Sequence, residues 1–499
     1  MIINSVKEDW KILFTLAVYT FLLLFFCSQM SPLYPSNDWS DANLYFNIGK
    51  GLFNGKTIYS DLFDHKGPLI FVIYGIGYLF SNDSFLGMYF IQSLFWIAMV
   101  ITAYYIARLY FEKVYAFVIA VLFPAFIQTH TSVGGSAEEF ITVFIIISFY
   151  LFLLYFKSTG DIKHKPIWML VHGIMFAATL FIKINLVVFW VFPFLAILIR
   201  LIKCKEYKNI LQNGLAFLIG ILVITIPFII YFAANNSLVE AWNIYIVLNK
   251  NYANLGSIPE VAELLFFRFY QRLRFEPFDS LIILAGGLLF PFKFIECKIW
   301  RIAFIATFFS LFAIVFVTPA FQFYYTIPYY LFGLFGICCI CRYIIIKNTW
   351  SVYVVCTALA LFWDISKKNF FGYEIKELID GKEKKTVTTH FMDIIGKENN
   401  PTLMNLGLDE NIVIFTRLNI MPNIKYFVTP NITYDIYPDM RNAQTEYIKN
   451  KEVQFIMLPE GAFNFDYFID LDILKENYNL EDVYINSTDK RYYLYKRKD

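Results

Sequence analysis

Residues 64–80 read DHKGPLIFVIYGIGYLF, and the topology of everything that follows depends on whether this stretch crosses a membrane. Its apolar part, residues 67–80, follows a polar segment directly. A helix needs about 20 residues to cross the hydrocarbon core of a bilayer, and residues 67–80 supply about two-thirds of that length. We therefore predict a juxtamembrane helix here that does not cross.

The composition places most of the chain in a membrane. Of its 499 residues, 58% are hydrophobic, 20% aromatic and only 16% charged, and the mean hydropathy is +0.54. These values exclude the class of soluble cytosolic enzymes. The sequence predicts a polytopic α-helical membrane protein with about eleven transmembrane helices, at residues 11–30, 84–107, 114–129, 138–156, 166–182, 184–202, 210–233, 278–295, 299–318, 321–341 and 349–365.

The distribution of Lys and Arg supports this topology, because short cytoplasmic loops are enriched in both. With residues 67–80 in the interface, 16 of the 24 Lys and Arg residues before residue 366 face the cytoplasm. A crossing at residues 67–80 would turn 14 of those 16 outward. We therefore expect a multi-pass protein of the plasma or inner membrane with a cytoplasmic N-terminus. The segments predicted to be extracytoplasmic are the loops 31–83, 130–137 and 234–277 and the C-terminal tail.

The tail differs in composition from the rest of the chain. Residues 366–499 hold 18 Lys and Arg against 21 Asp and Glu, and a helical run, Arg441–Lys449, stands between short β-rich runs. We predict a small extracytoplasmic α/β domain there, which divides the chain into two domains, residues 1–365 and 366–499. The β-rich runs are Ile412–Phe415, Val453–Leu458 and Tyr492–Tyr495.

The first outer loop concentrates ionisable side chains. Asp38 and Asp41 are three residues apart and would share a helix face if a juxtamembrane helix starts there. Alternatively, Asp41 is the N-cap of a helix that runs to about Phe53. The two interpretations are compatible, because a carboxylate that is held at the membrane surface is also a positioned base.

The segment Asp64-His65-Lys66-Gly67-Pro68 opens the predicted juxtamembrane helix. Pro68 suits a first helical turn, where its missing N–H costs nothing. Lys66 either binds an anionic headgroup or extends its ammonium group along the apolar surface to reach water. Asp64 and His65 are candidate ligands of a divalent metal ion, although one His with one carboxylate is a weak metal signal.

Two further outer segments carry charged groups at predicted membrane boundaries. Ser136 and Glu139 have the spacing of a capping box, which leaves Glu138 as the freer of the two acids. Lys183 lies between two apolar spans with hardly any loop, and an ionisable group at that depth is a candidate for function.

The outer loop 234–277 contains the aromatic and basic run LLFFRFYQRLRFEPF. Arg268 and Arg272 are four residues apart and lie on one helical face, where they could clamp lipid phosphates. The alternative is an interfacial amphipathic helix that rests on anionic headgroups.

Together these residues resemble the GT-C superfamily of integral-membrane glycosyltransferases. The similarity is to bacterial members of the dolichyl-phosphate-mannose protein mannosyltransferase type and to aminoarabinose transferases. Asp41 with LYFNIGKGLFNGKTIY looks like the family's first acidic motif and juxtamembrane helix, and DHKGPLIFVIYGIGYLF looks like its second. Glu138 or Glu139, Lys183 and FQFYYTIPYYLFGL are similar to later motifs. Asp41 is followed by Ala where protein mannosyltransferases have a second acid, which weakens the case for a protein acceptor.

The resemblance implies an inverting glycosyltransferase that moves a sugar from a polyprenyl-phosphate donor to an envelope glycan, lipid or protein. An active site on the outer face has no access to cytoplasmic nucleotide sugars, which agrees with a lipid-linked donor. Phosphate is a good leaving group, so a base and some cations suffice, and a metal ion is not required by the mechanism. The implied catalytic acids are Asp41, Glu138 and Asp38, and the implied donor-phosphate ligands are Lys66, His65, Lys183, Arg268 and Arg272.

Two other functions remain open on the sequence. A transporter or lipid flippase would also be polytopic, but such folds often contain paired repeats, and this sequence shows none. A polysaccharide polymerase or ligase would use a lipid-pyrophosphate donor, which the sequence does not distinguish from a lipid-phosphate donor.

Overall fold

Apolar helices make up most of the chain. The computed structural model describes residues 2–130, 134–158, 162–253, 256–318 and 321–498, so that residues 131–133 of the predicted outer loop 130–137 lie outside the described residues. The α-helices are, in chain order, α1 Ile2–Cys27, α2 Ser40–Phe53, α3 Pro68–Phe80, α4 Leu86–Arg108, α5 Lys113–His130, α6 Ala137–Lys157, α7 Pro166–Leu180, α8 Val191–Lys203, α9 Tyr207–Ala234, α10 Leu238–Trp242, α11 Asn249–Tyr252, α12 Ile258–Phe275, α13 Pro277–Leu284, α14 Phe290–Phe294, α15 Lys298–Phe316, α16 Ile327–Cys341, α17 Trp350–Lys368, α18 Ile375–Ile379, α19 Val387–Ile395, α20 Val413–Arg417, α21 Pro438–Lys449, α22 Phe465–Ile469 and α23 Asp472–Asn477.

Eight helical segments of the described chain are long and apolar enough to cross a membrane. They coincide with eight of the predicted spans, which confirms a multi-pass helical membrane protein. The other three predicted spans are also helical: α5 and α7 are shorter, and α17 carries Asp364, Lys367 and Lys368. Eleven crossings therefore stay a prediction. The eight segments are Asp9–Cys27, Leu86–Arg108, Ala137–Lys157, Ile184–Lys203, Tyr207–Ala234, Pro277–Phe294, Lys298–Phe316 and Phe323–Cys341.

The stretch that decides the topology forms the short helix α3. Gly67 is its N-cap and Pro68 occupies its first turn, as predicted. Its 13 residues give a length of about 20 Å, which is less than the roughly 30 Å of a bilayer's hydrocarbon core. The expected helix is confirmed, and its place at the membrane interface stays a prediction.

The chain divides into two compact units, each made of segments that are far apart in sequence. The second unit contains all of the predicted first outer loop, part of the loop 234–277 and most of the tail. The first unit comprises Met1–Ser28, Gln92–Phe228 and Leu255–Gly372, and the second unit comprises Gln29–Ile91, Ile229–Asn254 and Tyr373–Asp499.

Glycines allow close backbone contacts within the first unit. A Cβ atom on Gly286 would lie 1.8 Å from the carbonyl oxygen of Phe332, and one on Gly336 would lie 2.0 Å from that of Ile282. Helices in membranes pack closely through such small residues. Gly286 belongs to a π-helical turn, Ala285–Leu289, between α13 and α14.

The second unit contains a four-stranded sheet with the order β1-β2-β4-β3, in which β1 is parallel to β2 and the other pairs are antiparallel. The predicted strands at Val453–Leu458 and Tyr492–Tyr495 are confirmed as β2 and β4. The predicted strand at Ile412–Phe415 is wrong, because most of it lies in α20. A short buried apolar run does not distinguish a strand from a helix by its period. The strands are β1 Leu403–Asn405, β2 Phe455–Pro459, β3 Tyr478–Ile485 and β4 Arg491–Arg497.

Candidate active site

Asp41 lies in the first turn of α2. The helix begins at Ser40, and its N-cap is Trp39, which makes no side-chain cap hydrogen bond. The N-cap interpretation of Asp41 is therefore wrong, although a carboxylate in the first turn still interacts favourably with the helix dipole. Asp38 precedes the helix and accepts a 2.7 Å hydrogen bond from the Ser36 hydroxyl. The two acids thus do not share a helix face.

Tyr45 connects Asp41 with Lys66. Its hydroxyl donates to Asp41 Oδ2 at 3.4 Å, and the Lys66 ammonium nitrogen lies 6.0 Å from the centre of its ring. Tyr45 is 1% exposed, so its position is fixed by packing. Tyr45 was not among the predicted site residues, although its i, i+4 spacing from Asp41 indicates that the two side chains can meet.

The predicted motif at residues 64–66 forms a tight acid–base turn. The backbone N–H of His65 donates to Asp64 Oδ1 at 2.7 Å, and His65 Nδ1 lies 3.3 Å from the same oxygen. Burial opposes ionisation of Asp64, but the charge of Lys66 and the hydrogen bonds from His65 outweigh it and hold the pKa of Asp64 below its ordinary value. Burial, together with the charge of Lys66, lowers the pKa of His65. At neutral pH the turn therefore carries an ionised Asp64 and a neutral His65.

The structure also tests whether this turn suits a metal ion. Among the described residues, Asp64 Oδ2 is buried without a hydrogen-bond partner, and His65 Nδ1 is buried 3.3 Å from the other Asp64 oxygen, so these atoms could supply two ligands. Among the residues that the structure describes, no group of three or more His, Cys, Asp and Glu side chains is placed to hold a metal ion. A cation here would need water or substrate oxygens to complete its shell. The two residues alone fit a metal ion poorly, and the reaction proposed below does not use one.

Glu139 has the structural role that its spacing predicts. Ser136 is the N-cap of α6, and the capping box with Glu139 is confirmed. One carboxylate oxygen of Glu139 accepts the backbone N–H groups of residues 134–136, and the other accepts Gln92 Nε2 at 2.7 Å and Trp96 Nε1 at 3.0 Å. Five donors fix this buried carboxylate in place.

Glu138, which was expected to be the freer acid, is held in an ion pair. Its Oε1 lies 2.6 Å from the ammonium nitrogen of Lys183, and that nitrogen lies 3.7 Å from the centre of the Tyr325 ring. Glu138 is 1% exposed. Lys183, 45 positions away in the sequence, therefore neutralises Glu138, and the spacing of the residues did not predict this partner.

The predicted arginine pair lies on α12. Arg272 forms an ion pair with Glu276 and donates to the hydroxyl of Tyr330. The guanidinium of Arg268 lies 4.9 Å from the centre of the Phe321 ring. Because Glu276 already neutralises Arg272, the geometry favours the amphipathic interfacial helix over a phosphate clamp.

The candidate residues thus form separate groups. The second unit brings Asp41, Tyr45 and the turn at residues 64–66 together, with Asp38 nearby in the sequence but bonded to Ser36. The first unit holds the Glu138–Lys183 pair and, on another helix, the two arginines.

One family model matches part of this chain. The family model described as dolichyl-phosphate-mannose-protein mannosyltransferase matches residues 47–245, a range that includes Lys66, Glu138 and Lys183. No curated protein sequence matches the chain.

Solved structures share the fold over nearly the whole chain. The structure of ArnT from Cupriavidus metallidurans bound to undecaprenyl phosphate matches with a TM-score of 0.62 and 12% identity, over 98% of each chain. The archaeal oligosaccharyltransferase AglB from Archaeoglobus fulgidus, in complex with an inhibitory peptide and a dolichol-phosphate, matches with a TM-score of 0.50 and 14% identity, over 98% of this chain and 74% of AglB. The family match confirms the prediction of a glycosyltransferase, and the shared fold confirms the predicted resemblance: this chain has the fold of the GT-C membrane glycosyltransferases.

Proposed function

We propose that this protein moves a sugar from a polyprenyl-phosphate donor to a hydroxyl group of an extracytoplasmic acceptor, with inversion at the anomeric carbon. The observation that carries this proposal is the group formed by Asp41, Tyr45 and Lys66 in the second unit. It combines a carboxylate with a cation in a partly buried setting, which is what such a transfer requires of the protein.

The chemistry needs one proton acceptor and one stabilised leaving group. Asp41 accepts the proton of the acceptor hydroxyl as its oxygen attacks the anomeric carbon. The bond between that carbon and the phosphate oxygen breaks, and the phosphate leaves with the electron pair on the opposite face, which gives inversion. The ammonium group of Lys66 stabilises the charge that develops on the phosphate, the kind of interaction that usually supplies the largest share of catalysis.

The donor class is supported by the lipids in the compared structures. ArnT was solved with undecaprenyl phosphate and AglB with a dolichol-phosphate, and both are polyprenyl phosphates. Lys66 lies in the range that matches a family named for a dolichyl-phosphate sugar. His65 is neutral, so it would donate a hydrogen bond to the phosphate rather than a charge. Lys183 and Arg272 are already paired with carboxylates, so we assign the donor phosphate to Lys66 and His65.

The other parts of the proposal follow from the sequence. The acceptor is an envelope glycan, a lipid or a protein, and the protein lies in the plasma or inner membrane with a cytoplasmic N-terminus. The membrane part is residues 1–365, and the outer domain is residues 366–499. Asp38 and Glu138 are alternative bases, and both are already bonded to other side chains.

The lipid product tests the proposed reaction directly. The purified protein is placed in lipid nanodiscs with polyprenyl-phosphate hexoses, with polyprenyl-pyrophosphate sugars and with a crude envelope-glycan acceptor. We expect polyprenyl monophosphate to be released from the first donor class only. Release of pyrophosphate would favour a polymerase or ligase. Absence of release from every donor, in a protein that moves lipid between leaflets, would favour a flippase.

A further inference from the structure

Both peptide groups that flank the Cα atom of Lys66 are held by side chains. Asn249 Nδ2 donates to the carbonyl oxygen of His65 at 2.6 Å, and the Tyr59 hydroxyl donates to the carbonyl oxygen of Lys66 itself at 2.6 Å. A peptide unit is planar, so fixing the two planes on either side of a Cα atom fixes its φ and ψ. The direction in which the Lys66 side chain leaves the backbone is thereby set.

We propose that Tyr59 and Asn249 are positioning residues that aim Lys66 at the phosphate of a polyprenyl-phosphate ligand. This inference rests on the proposed function, because it assigns the two residues to the donor site. Neither side chain carries a charge at neutral pH, and no sequence motif identifies either residue as part of a site. Each acts on Lys66 through the backbone.

Tyr59 is held in a conformation that its residue type rarely adopts. Its φ is +71°, which is uncommon for a bulky side chain. Its ring is fully buried and stacks on Phe232 with 5.7 Å between the ring centres, and its backbone N–H donates to the carbonyl oxygen of Leu62 at 2.8 Å. Unfavourable backbone angles persist where the surroundings enforce them, and they concentrate at functional sites. Here they direct the hydroxyl towards residue 66.

Asn249 contacts the turn at residues 64–66 from a distant part of the chain. It follows a π-helical stretch, Asn243–Leu248, a feature that is frequent at functional sites. Its amide nitrogen also donates to the carbonyl oxygen of Tyr245 at 2.8 Å, so both of its N–H groups are used. The ring of Tyr252, one turn later, lies 5.2 Å from the His65 ring. This segment therefore supports the turn both at its backbone and at its imidazole.

The two hydrogen bonds hold the carbonyl groups of neighbouring residues, and one donor precedes these residues in the sequence while the other follows them. Tyr59 precedes the turn by 7 positions, whereas Asn249 follows it by 184. The arrangement is the kind of supporting shell that holds a binding group in its productive geometry.

The test measures binding of undecaprenyl phosphate to the full-length protein in nanodiscs, together with donor kinetics. Tyr59→Phe removes the hydrogen bond to the Lys66 carbonyl, and Asn249→Leu removes the one to the His65 carbonyl together with the one to Tyr245, each with little change of shape. We expect each variant to bind undecaprenyl phosphate about tenfold more weakly and to raise the donor KM by a similar factor, the scale of one hydrogen bond, with the acceptor KM unchanged. Tyr231→Phe is the matched control, because its hydroxyl bonds the Ile58 N–H and not the turn.

A double-mutant cycle separates positioning from general stabilisation. In the Lys66→Met background, the Tyr59 and Asn249 substitutions should cause no further loss of binding, because the group that they position is absent. An equal further loss would overturn the proposal, and so would wild-type binding by both variants. If the wild-type protein binds undecaprenyl phosphate but transfers no sugar, the proposed function is wrong. The double-mutant cycle measured on lipid binding would then still test whether Tyr59 and Asn249 position Lys66. A wild-type protein that does not bind this lipid would overturn both.

Discussion

The ammonium nitrogen of Lys183 lies 2.6 Å from the carboxylate of Glu138, which is buried, whereas the Lys183 side chain is partly exposed. Removal of one partner leaves the other as an unpaired buried charge, which typically costs about 3–5 kcal/mol. In Lys183→Met the charge left without a partner is the buried Glu138 carboxylate, so we expect a loss within this range. Lys183→Met should therefore lower the midpoint of thermal unfolding, measured in detergent.

The matched double variant tests that pairing. Glu138→Gln with Lys183→Met removes both charges and should recover most of the stability that either single variant loses. Thermal unfolding of the two single variants and the double variant gives the interaction energy. Strictly additive losses would show that the two residues do not stabilise each other.

Loss of the hydrogen bond between Tyr45 and Asp41 should slow catalysis only mildly. At 3.4 Å it is long, so Tyr45→Phe should reduce kcat by about three- to tenfold and leave the unfolding transition unchanged. Tyr78→Phe serves as the control, because that hydroxyl accepts a hydrogen bond from Asn54 and does not contact Asp41. A loss of stability without a loss of kcat in the Tyr45 variant would place this residue in the core and not in the site.

Because Lys50 is buried, we expect the free energy of unfolding to depend on pH in an unusual range. It is fully buried in α2, its ammonium group donates to the carbonyl oxygen of Phe415 at 2.9 Å, and burial lowers the pKa of Lys50 to about 7. The unfolded chain, with a pKa near 10.5, binds more protons than the folded chain between these values. The free energy of unfolding should therefore rise with pH from about 7 to about 10.

Lys50→Met removes the titrating group and keeps the shape of the side chain. Chemical unfolding at pH 7 and pH 9.5 should give a smaller difference between the two pH values for this variant than for the wild-type protein. A pH dependence that is the same in both proteins would show that Lys50 titrates normally in the folded state.

Features that depend on local spacing were predictable from the sequence. Pro68 in a first helical turn and the Ser136–Glu139 capping box follow from rules that involve neighbouring residues, and the structure confirms both. The start of α2 was misjudged near Asp41, because several polar residues there can serve as helix caps. Boundaries of this kind are among the least certain features of a sequence-based prediction.

Features that depend on tertiary contacts were not predictable. The partner of Glu138 lies 45 positions away, and the acceptor for Lys50 lies 365 positions away. No sequence pattern links such residues. The same limit applies to Asn249, whose contact with the turn at residues 64–66 arises only when the segments of the second unit assemble.

Asp41 is the proposed base of a sugar transfer from polyprenyl phosphate. The most direct test compares release of polyprenyl phosphate by the wild-type protein and by Asp41→Asn, which keeps the shape of the side chain and removes its basicity. Asp61→Asn is the control, since this exposed acid of the same loop accepts the Thr57 N–H. We predict a loss of at least about 100-fold for Asp41→Asn, the scale of general base catalysis, with unchanged unfolding and donor binding. Release at a near wild-type rate by a folded Asp41→Asn protein would show that Asp41 is not the base and that another carboxylate has this role.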